Sequence, residues 1–153
     1  MNDIRIFSAS QVGLITLVLN CLIPSHKNHP GAGDPSIVNQ IDNAISKSPN
    51  LKPIFLKGLL EIEVSSTESY KSEFRLLTQE QRIELLSTVE LDHPNFFSLL
   101  LEYTYKAYYS NPRIIELLGY GATPPQPIGY ALPPFESDML NNVKRRPKIY
   151  RSP

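Results

Sequence analysis

Three side chains able to bind a metal or act as nucleophiles lie together near the start of the chain. Cys21, His26 and His29 fall within nine residues. Thiolate and imidazole are good zinc ligands, but this spacing matches no zinc-finger or catalytic-zinc pattern. Pro24 also separates Cys21, in an apolar helical run, from the loop that carries the histidines. The pattern therefore reads as one core thiol and two solvated histidines. Cys21 is the single cysteine of the 153 residues, so no intramolecular disulfide supports the fold. No activating base can be assigned to it, and a nucleophilic role needs one. His93 precedes Pro94 and reads as a residue at a helix start.

Other chemistry-bearing patterns are equally spare. The stretch PGAGD, Pro30 to Asp34, ends at a helix N-terminus, where exposed N–H groups favour anions. Asp34 stands where the anion would sit, and the Lys of a phosphate-binding loop is missing. A tight turn is the better reading, with Gly31 and Gly33 permitting unusual dihedrals. Glu61 and Glu63 are two residues apart, so on a helix they point to different faces and form no acid–base couple. No serine sits in a nucleophile-elbow sequence. The 15 basic and 15 acidic residues balance, which argues against nucleic acid as a partner, since phosphate binding needs clustered Lys and Arg. The one basic run, Lys144 to Arg151, reads as a solvated end.

The elements that would position such groups are helical. Ser8 and Gln11 form a capping box, with Phe7 and Val12 as a hydrophobic staple. Val12, Ile15, Leu19 and Leu22 follow on one face, widened by Leu14, Leu17 and Val18, and Pro24 ends the helix. The run is too short to span a bilayer and lacks the flanks of a signal peptide, so it reads as a central helix, with no targeting segment and no membrane span. Asp34 caps a second helix with Pro35 in its first position, and Ile37, Val38, Ile41 and Ile45 line one side. A third starts around Pro53 with Ile54, Phe55, Leu59, Leu60 and Ile62, and EVSSTESYK reads as a loose exit. Tyr70, Phe74 and Leu77 suggest a short helix. Thr78 and Gln81 form a second capping box, followed by a buried stripe of Ile83, Leu86 and Val89, broadened by Leu85. Asp92 or His93 caps a fifth strong element that Pro94 opens, with Phe96, Phe97, Leu100 and Tyr103, or Leu101 and Tyr105, at apolar spacing. Asn111 and Pro112 start a short helix with Ile114, Ile115, Leu117 and Leu118 inward, and Gly119 stops it. No segment alternates as a strand does. The expectation is an all-α fold, a compact bundle of about six helices over residues 1–118, with residues 119–153 as an extended C-terminal segment. Between Gly119 and Pro134 there are five Pro, three Gly and two Tyr, a composition that favours extended backbone.

The conspicuous side chains are aromatic. Of eight tyrosines, Tyr103, Tyr105, Tyr108, Tyr109 and Tyr120 cluster at the end of the fifth element and just beyond the sixth. On a helix Tyr105 and Tyr109 share a face while Tyr108 is rotated away, so they cannot all serve one core. Two readings stand: core-edge residues with hydroxyls in water, or an interface, where tyrosine buries large area at low entropic cost.

The order of segments carries a resemblance: an apolar helix ending in CLIPS, then HPGAGDPSIVNQID, then LLTQEQRIELL, then FFSLLLEYTYKAYYSNPRIIELLGYGATPPQPIGY. Over nearly the whole chain this is similar to the small subunit, subunit 3, of gluconate 2-dehydrogenase-type complexes. The resemblance implies a non-catalytic chaperone and stabiliser of a large FAD-dependent subunit of the glucose–methanol–choline oxidoreductase type, with a cytochrome c subunit as an optional further member. It implies no cofactor in this chain and FAD in the partner. It supplies no catalytic residues, and the twin-arginine export signal of many members is not in this sequence, which leaves cytoplasmic and periplasmic locations both open. On this reading Tyr105, Tyr108, Tyr109, Pro112, Tyr120, Pro124, Pro125, Pro127 and Tyr130 lie against the partner. The alternative is a stand-alone α-helical module that binds a small ligand in an aromatic pocket.

Overall fold

The computed structural model describes residues 6–119 and Arg145. Among the described residues it is all-helical, with six α-helices and no strand: α1 (Ala9–Leu22), α2 (Pro35–Ser46), α3 (Leu51–Tyr70), α4 (Gln79–Asp92), α5 (Pro94–Tyr109) and α6 (Pro112–Leu117), plus a 3₁₀ turn at Phe74–Leu76. The helical-bundle expectation holds; residues 120–144 and 146–153 lie outside the described set.

Both capping boxes form. Ser8 and Thr78 accept from the backbone N–H groups of Gln11 and Gln81, whose side chains accept from the cap residues in return. Two of the four orphan N–H groups at each helix start are thereby satisfied locally. Asp34 caps α2 and Asn111 caps α6, each with Pro at the first helical position. Gly119 follows α6 with a φ of 76°, the left-handed conformation glycine adopts without penalty.

Helix α5 is the hub. It packs against α2, α3, α4 and α6, while α1 covers α2, α3 and α4. At the centre, Phe55 of α3 is fully buried and takes Phe96 and Tyr103 of α5 edge-on, at centroid distances of 5.8 and 6.0 Å. This is the favoured geometry for rings that carry opposite charge at face and edge. The approach of α5 to α3 depends on Gly58, because a Cβ there would overlap the Phe96 ring.

Several sequence expectations change in detail. Helix α3 begins at Leu51 and does not loosen at Glu63; it runs on to Tyr70. The Ser/Thr-rich stretch has weak helix propensity, but Ile62 and Ser66 are buried one turn apart. The Ser66 hydroxyl donates to the Ser72 carbonyl at 2.7 Å, so packing overrides propensity. Lys71, at a φ of 54°, ends the helix. The short helix shrinks to the 3₁₀ turn around buried Phe74, whose carbonyl accepts from Arg82 Nε at 3.2 Å. On α4 the buried set is Leu85, Leu86 and Val89, and Ile83 is 49% exposed because the covering helix α1 stops at Leu22. Leu60 of α3 is likewise exposed. Six-residue α6 buries only Ile114, and Leu117 and Leu118 face outward, since so short a helix presents little more than one residue to the core.

Gly58→Ala gives opposing effects: Ala favours the helix by about 1 kcal/mol, while overpacking a fixed core ring costs about 1–3 kcal/mol. The ring is buried and its backbone held by α5, so the clash decides the sign. Chemical denaturation of this variant should show a net loss of up to about 2 kcal/mol; a raised midpoint would show that α5 can shift.

Candidate functional site

The loop between α1 and α2 and the corner between α5 and α6 meet, and both are motifs singled out in the sequence. Residues Gly31, Ala32 and Gly33 are buried, which is uncommon for a loop because its backbone groups lose water. Each has a partner. Ala32 N–H donates to the Ile23 carbonyl at 2.9 Å, Gly33 N–H donates to Asn20 Oδ1 at 3.0 Å, and the Pro30 carbonyl accepts from the Tyr108 hydroxyl at 2.9 Å. The glycines are not there for unusual dihedrals, as the sequence suggested: among the described glycines only Gly119 has a positive φ. They permit contact. A Cβ on Gly33 would lie 2.5 Å from the Thr16 carbonyl oxygen and overlap the Asn20 side chain, and one on Gly31 would meet that same side chain.

The corner is stitched to the start of α2 by further polar contacts. Asn111 Nδ2 donates to Ser36 Oγ at 3.1 Å, Gln40 Nε2 donates to Ser110 Oγ at 2.9 Å, and Arg113 lies 3.8 Å from Asp34. The ion pair is weak, because Arg113 is 70% exposed. Asp34 chiefly serves its own helix, accepting from the Ser36 hydroxyl at 2.6 Å and the Ser36 N–H at 2.9 Å. The Ser36 hydroxyl is the main cause that holds its carboxyl below the ordinary range; partial burial opposes this, and the Ser36 N–H and Arg113 add to it. The carboxylate fills the α2 N-terminus where an anion would otherwise bind. Neither Gln40 nor Ser110 stood out in the sequence, since nothing in local spacing tells which surface side chains meet across 70 residues.

The nine expected interface positions divide. Tyr105 and Tyr109 are 46% and 55% exposed on one face of α5, with ring centroids 6.2 Å apart. Pro112 is exposed at the start of α6. Tyr108 differs: it is 5% exposed, its hydroxyl is committed to Pro30, and burial, with a smaller effect of Tyr109, raises its pKa. Helical rotation by one residue from Tyr109 takes it into the core, so in this structure it anchors the fold and offers no surface. Tyr120, Pro124, Pro125, Pro127 and Tyr130 lie outside the described residues.

The chemistry-bearing groups stay apart. Cys21 is half-buried and its Sγ lies 3.8 Å from Gln79 Nε2 on α4, turned from the histidine loop. Burial raises the thiol pKa against smaller lowering effects of Arg82 and Gln79. His26 and His29 pair through mutual backbone hydrogen bonds of 3.0 and 2.9 Å around Lys27, whose φ is 50°. Among the described residues no three His, Cys, Asp or Glu converge as a metal site. His93 joins α4 to α5 without a side-chain cap bond, Asp92 being the last residue of α4, and its Nε2 lies 3.9 Å from Glu61 Oε2. Around that pair a cleft of about 320 Å³ holds Lys57, Glu61, Asp92 and His93 with Gly58 and Phe96 at its base. No described helix is long and apolar enough to cross a membrane.

Residues 9–124 match the family model described as gluconate 2-dehydrogenase subunit 3. No curated protein and no solved structure matches the chain.

The buried and exposed tyrosines should separate in a stability measurement. Tyr108→Phe removes the hydroxyl that satisfies Pro30 and should cost about 1 kcal/mol, whereas Tyr109→Phe should stay within about 0.5 kcal/mol of the parent; urea midpoints of the two variants decide. Asp34→Ala should cost about 1 kcal/mol at neutral pH through the lost cap. The Asp34 pKa is lowered on folding, so its contribution is present above the ordinary carboxylate pKa near 4 and fades as pH falls through the folded value. The gap between parent and Asp34→Ala should therefore narrow between pH 7 and acid, and a gap independent of pH would contradict the assignment.

Proposed function

Because the chain belongs to the gluconate 2-dehydrogenase subunit 3 family, we propose that it is the non-catalytic small subunit of a dehydrogenase complex, which chaperones and stabilises an FAD-containing catalytic subunit. Family membership supports an accessory place in a multisubunit dehydrogenase complex. The finer assignment is that the partner is of the glucose–methanol–choline type and oxidises a sugar, polyol or sugar acid. FAD resides in that partner, and a cytochrome c subunit is an optional further member that takes the electrons onward.

The observation that supports a protein partner is the exposure of large apolar side chains on one helix pair. Leu91 is 81% exposed, Ile83 49%, Tyr109 55% and Tyr105 46%. Single exposed apolar residues are ordinary, but several on adjacent helices suit association. Tyrosine and leucine at such positions bury large area on contact and exclude water, the main source of binding free energy between proteins.

The division of labour follows from the two faces of α5. Phe96, Leu100, Thr104 and Tyr108 build the core, so the helix is rigid in the free subunit, while Tyr105 and Tyr109 are held outward at fixed spacing. A preorganised surface loses little side-chain freedom on docking. Stabilisation of the partner then follows by mass action, since a subunit that binds the folded form and not the unfolded one shifts the folding equilibrium.

Affinity-tagged chain expressed in its native background should co-purify with a yellow flavoprotein that oxidises a sugar or polyol. The chain alone should be colourless and inactive, and the flavoprotein should lose solubility or melting temperature when expressed without it. Unaided turnover by the isolated chain, or a flavoprotein indifferent to its presence, would overturn the reading.

A further inference from the structure

Helix α6 is joined to the bundle by one buried side chain. Ile114, Ile115 and Leu117 lie within its six residues, and Leu118 follows as the C-cap. The core covers one of these four. Ile114 is 1% exposed, Ile115 is half-buried, and Leu117 and Leu118 are 36% and 41% exposed. Among the helices, α6 packs chiefly against α5, which directly precedes it in the chain. The other links are polar. Asn111 Nδ2 donates to Ser36 Oγ, Gln40 Nε2 donates to Ser110 Oγ, and Arg113 stands 3.8 Å from Asp34. Both hydrogen bonds lie at the surface, where water replaces them at little net cost, and an ion pair so exposed contributes little.

The backbone bonds of α6 are its own. Ile115 N–H donates to the Asn111 carbonyl, Leu118 N–H to the Ile114 carbonyl and Gly119 N–H to the Glu116 carbonyl. The cap belongs to the helix as well, since Asn111 Oδ1 accepts from Arg113 N–H. Movement of α6 as a unit breaks none of these bonds. It uncovers Ile114 and exchanges surface contacts for water. The hinge is equally local. Asn111, at φ −72° and ψ 122°, precedes Pro112 and is confined to extended backbone. Rotation is left to Ser110, at φ −93° and ψ −4°. Two residues earlier, Tyr108 is buried and bonded to Pro30, which keeps the motion out of α5.

We propose that α6 is a strap that opens from the bundle as one unit while the five longer helices stay folded. Opening uncovers Ile114, Ile115, Leu117 and Leu118 together; closed, the strap offers only Leu117 and Leu118. Segments held by few buried apolar contacts form the low-stability end of a fold. Whatever touches the strap in one position only shifts the balance between the two. The inference concerns the isolated chain and does not depend on the functional reading above.

Native-state hydrogen exchange of the full-length chain, followed by NMR at urea concentrations too low to unfold it, provides the test. The amides of Ile115, Leu118 and Gly119 should share one protection factor, at least about tenfold below those of Leu100 and Thr104 on α5. Their protection should stay nearly constant as urea rises, because little surface opens, whereas that of α5 should fall steeply. Two mild core variants separate the openings. Ile114→Val should lower the three α6 values together by about fivefold. Ile62→Val, on α3, should lower the α5 values by a similar factor and leave those of α6 unchanged, since the strap opens without unfolding the bundle. Protection that declines residue by residue from Ile115 to Gly119 and ignores Ile114→Val would reduce the strap to a fraying end. Protection in α6 that follows α5 through urea and through Ile62→Val would show that α6 opens only with the whole bundle. Either result, or α6 amides with no protection at all, would overturn the proposal.

Discussion

The hydrogen bond from the Tyr108 hydroxyl to the Pro30 carbonyl joins the end of the central helix to a loop whose Gly31, Ala32 and Gly33 are buried. Burying Gly31, Ala32 and Gly33 is possible only because their backbone neighbours find partners: the Ile23 carbonyl, the Asn20 amide and the Tyr108 hydroxyl. An unmet buried polar group costs about 1–3 kcal/mol, so these contacts are obligatory. They also explain why the loop needs glycine, since α1 approaches closer than a Cβ allows. With that loop seated, Asp34 is placed to start α2, and α2 is placed against α5.

The same helix then serves two purposes through its rotation. The arc of Phe96, Leu100, Thr104, Ala107 and Tyr108 faces the core, and Phe96 settles on the bare backbone of Gly58. The remaining arc holds Tyr105 and Tyr109 outward. On the proposed accessory role, such a surface is fixed by the subunit's own core before a partner arrives.

Local chemistry made much of this fold legible in the sequence. Ser8 with Gln11, Thr78 with Gln81, Asp34 with Pro35 and Asn111 with Pro112 each start a helix through contacts within a few residues, so spacing alone reveals them. The resemblance carried by PGAGD and YYSNP was also legible, and the two motifs prove to be partners in space. What spacing could not reveal was which apolar residues stay uncovered. Ile83 fits the buried stripe of α4 by periodicity and is exposed because α1 ends too soon. The α3 stretch VSSTES has the composition of a loop and is helical because Ser66 packs inward.

The sequence by itself determined the helices, their starts and the segregation of their apolar residues, because those depend on interactions between residues a turn apart. Only the tertiary structure decided that Tyr108 belongs to the core while Tyr105 and Tyr109 do not, that Gly31 and Gly33 serve close approach, and that α4 and α5 leave an apolar face open. Each of those depends on where a distant segment ends or how near it comes, and periodicity along one helix carries no information about the length or position of another.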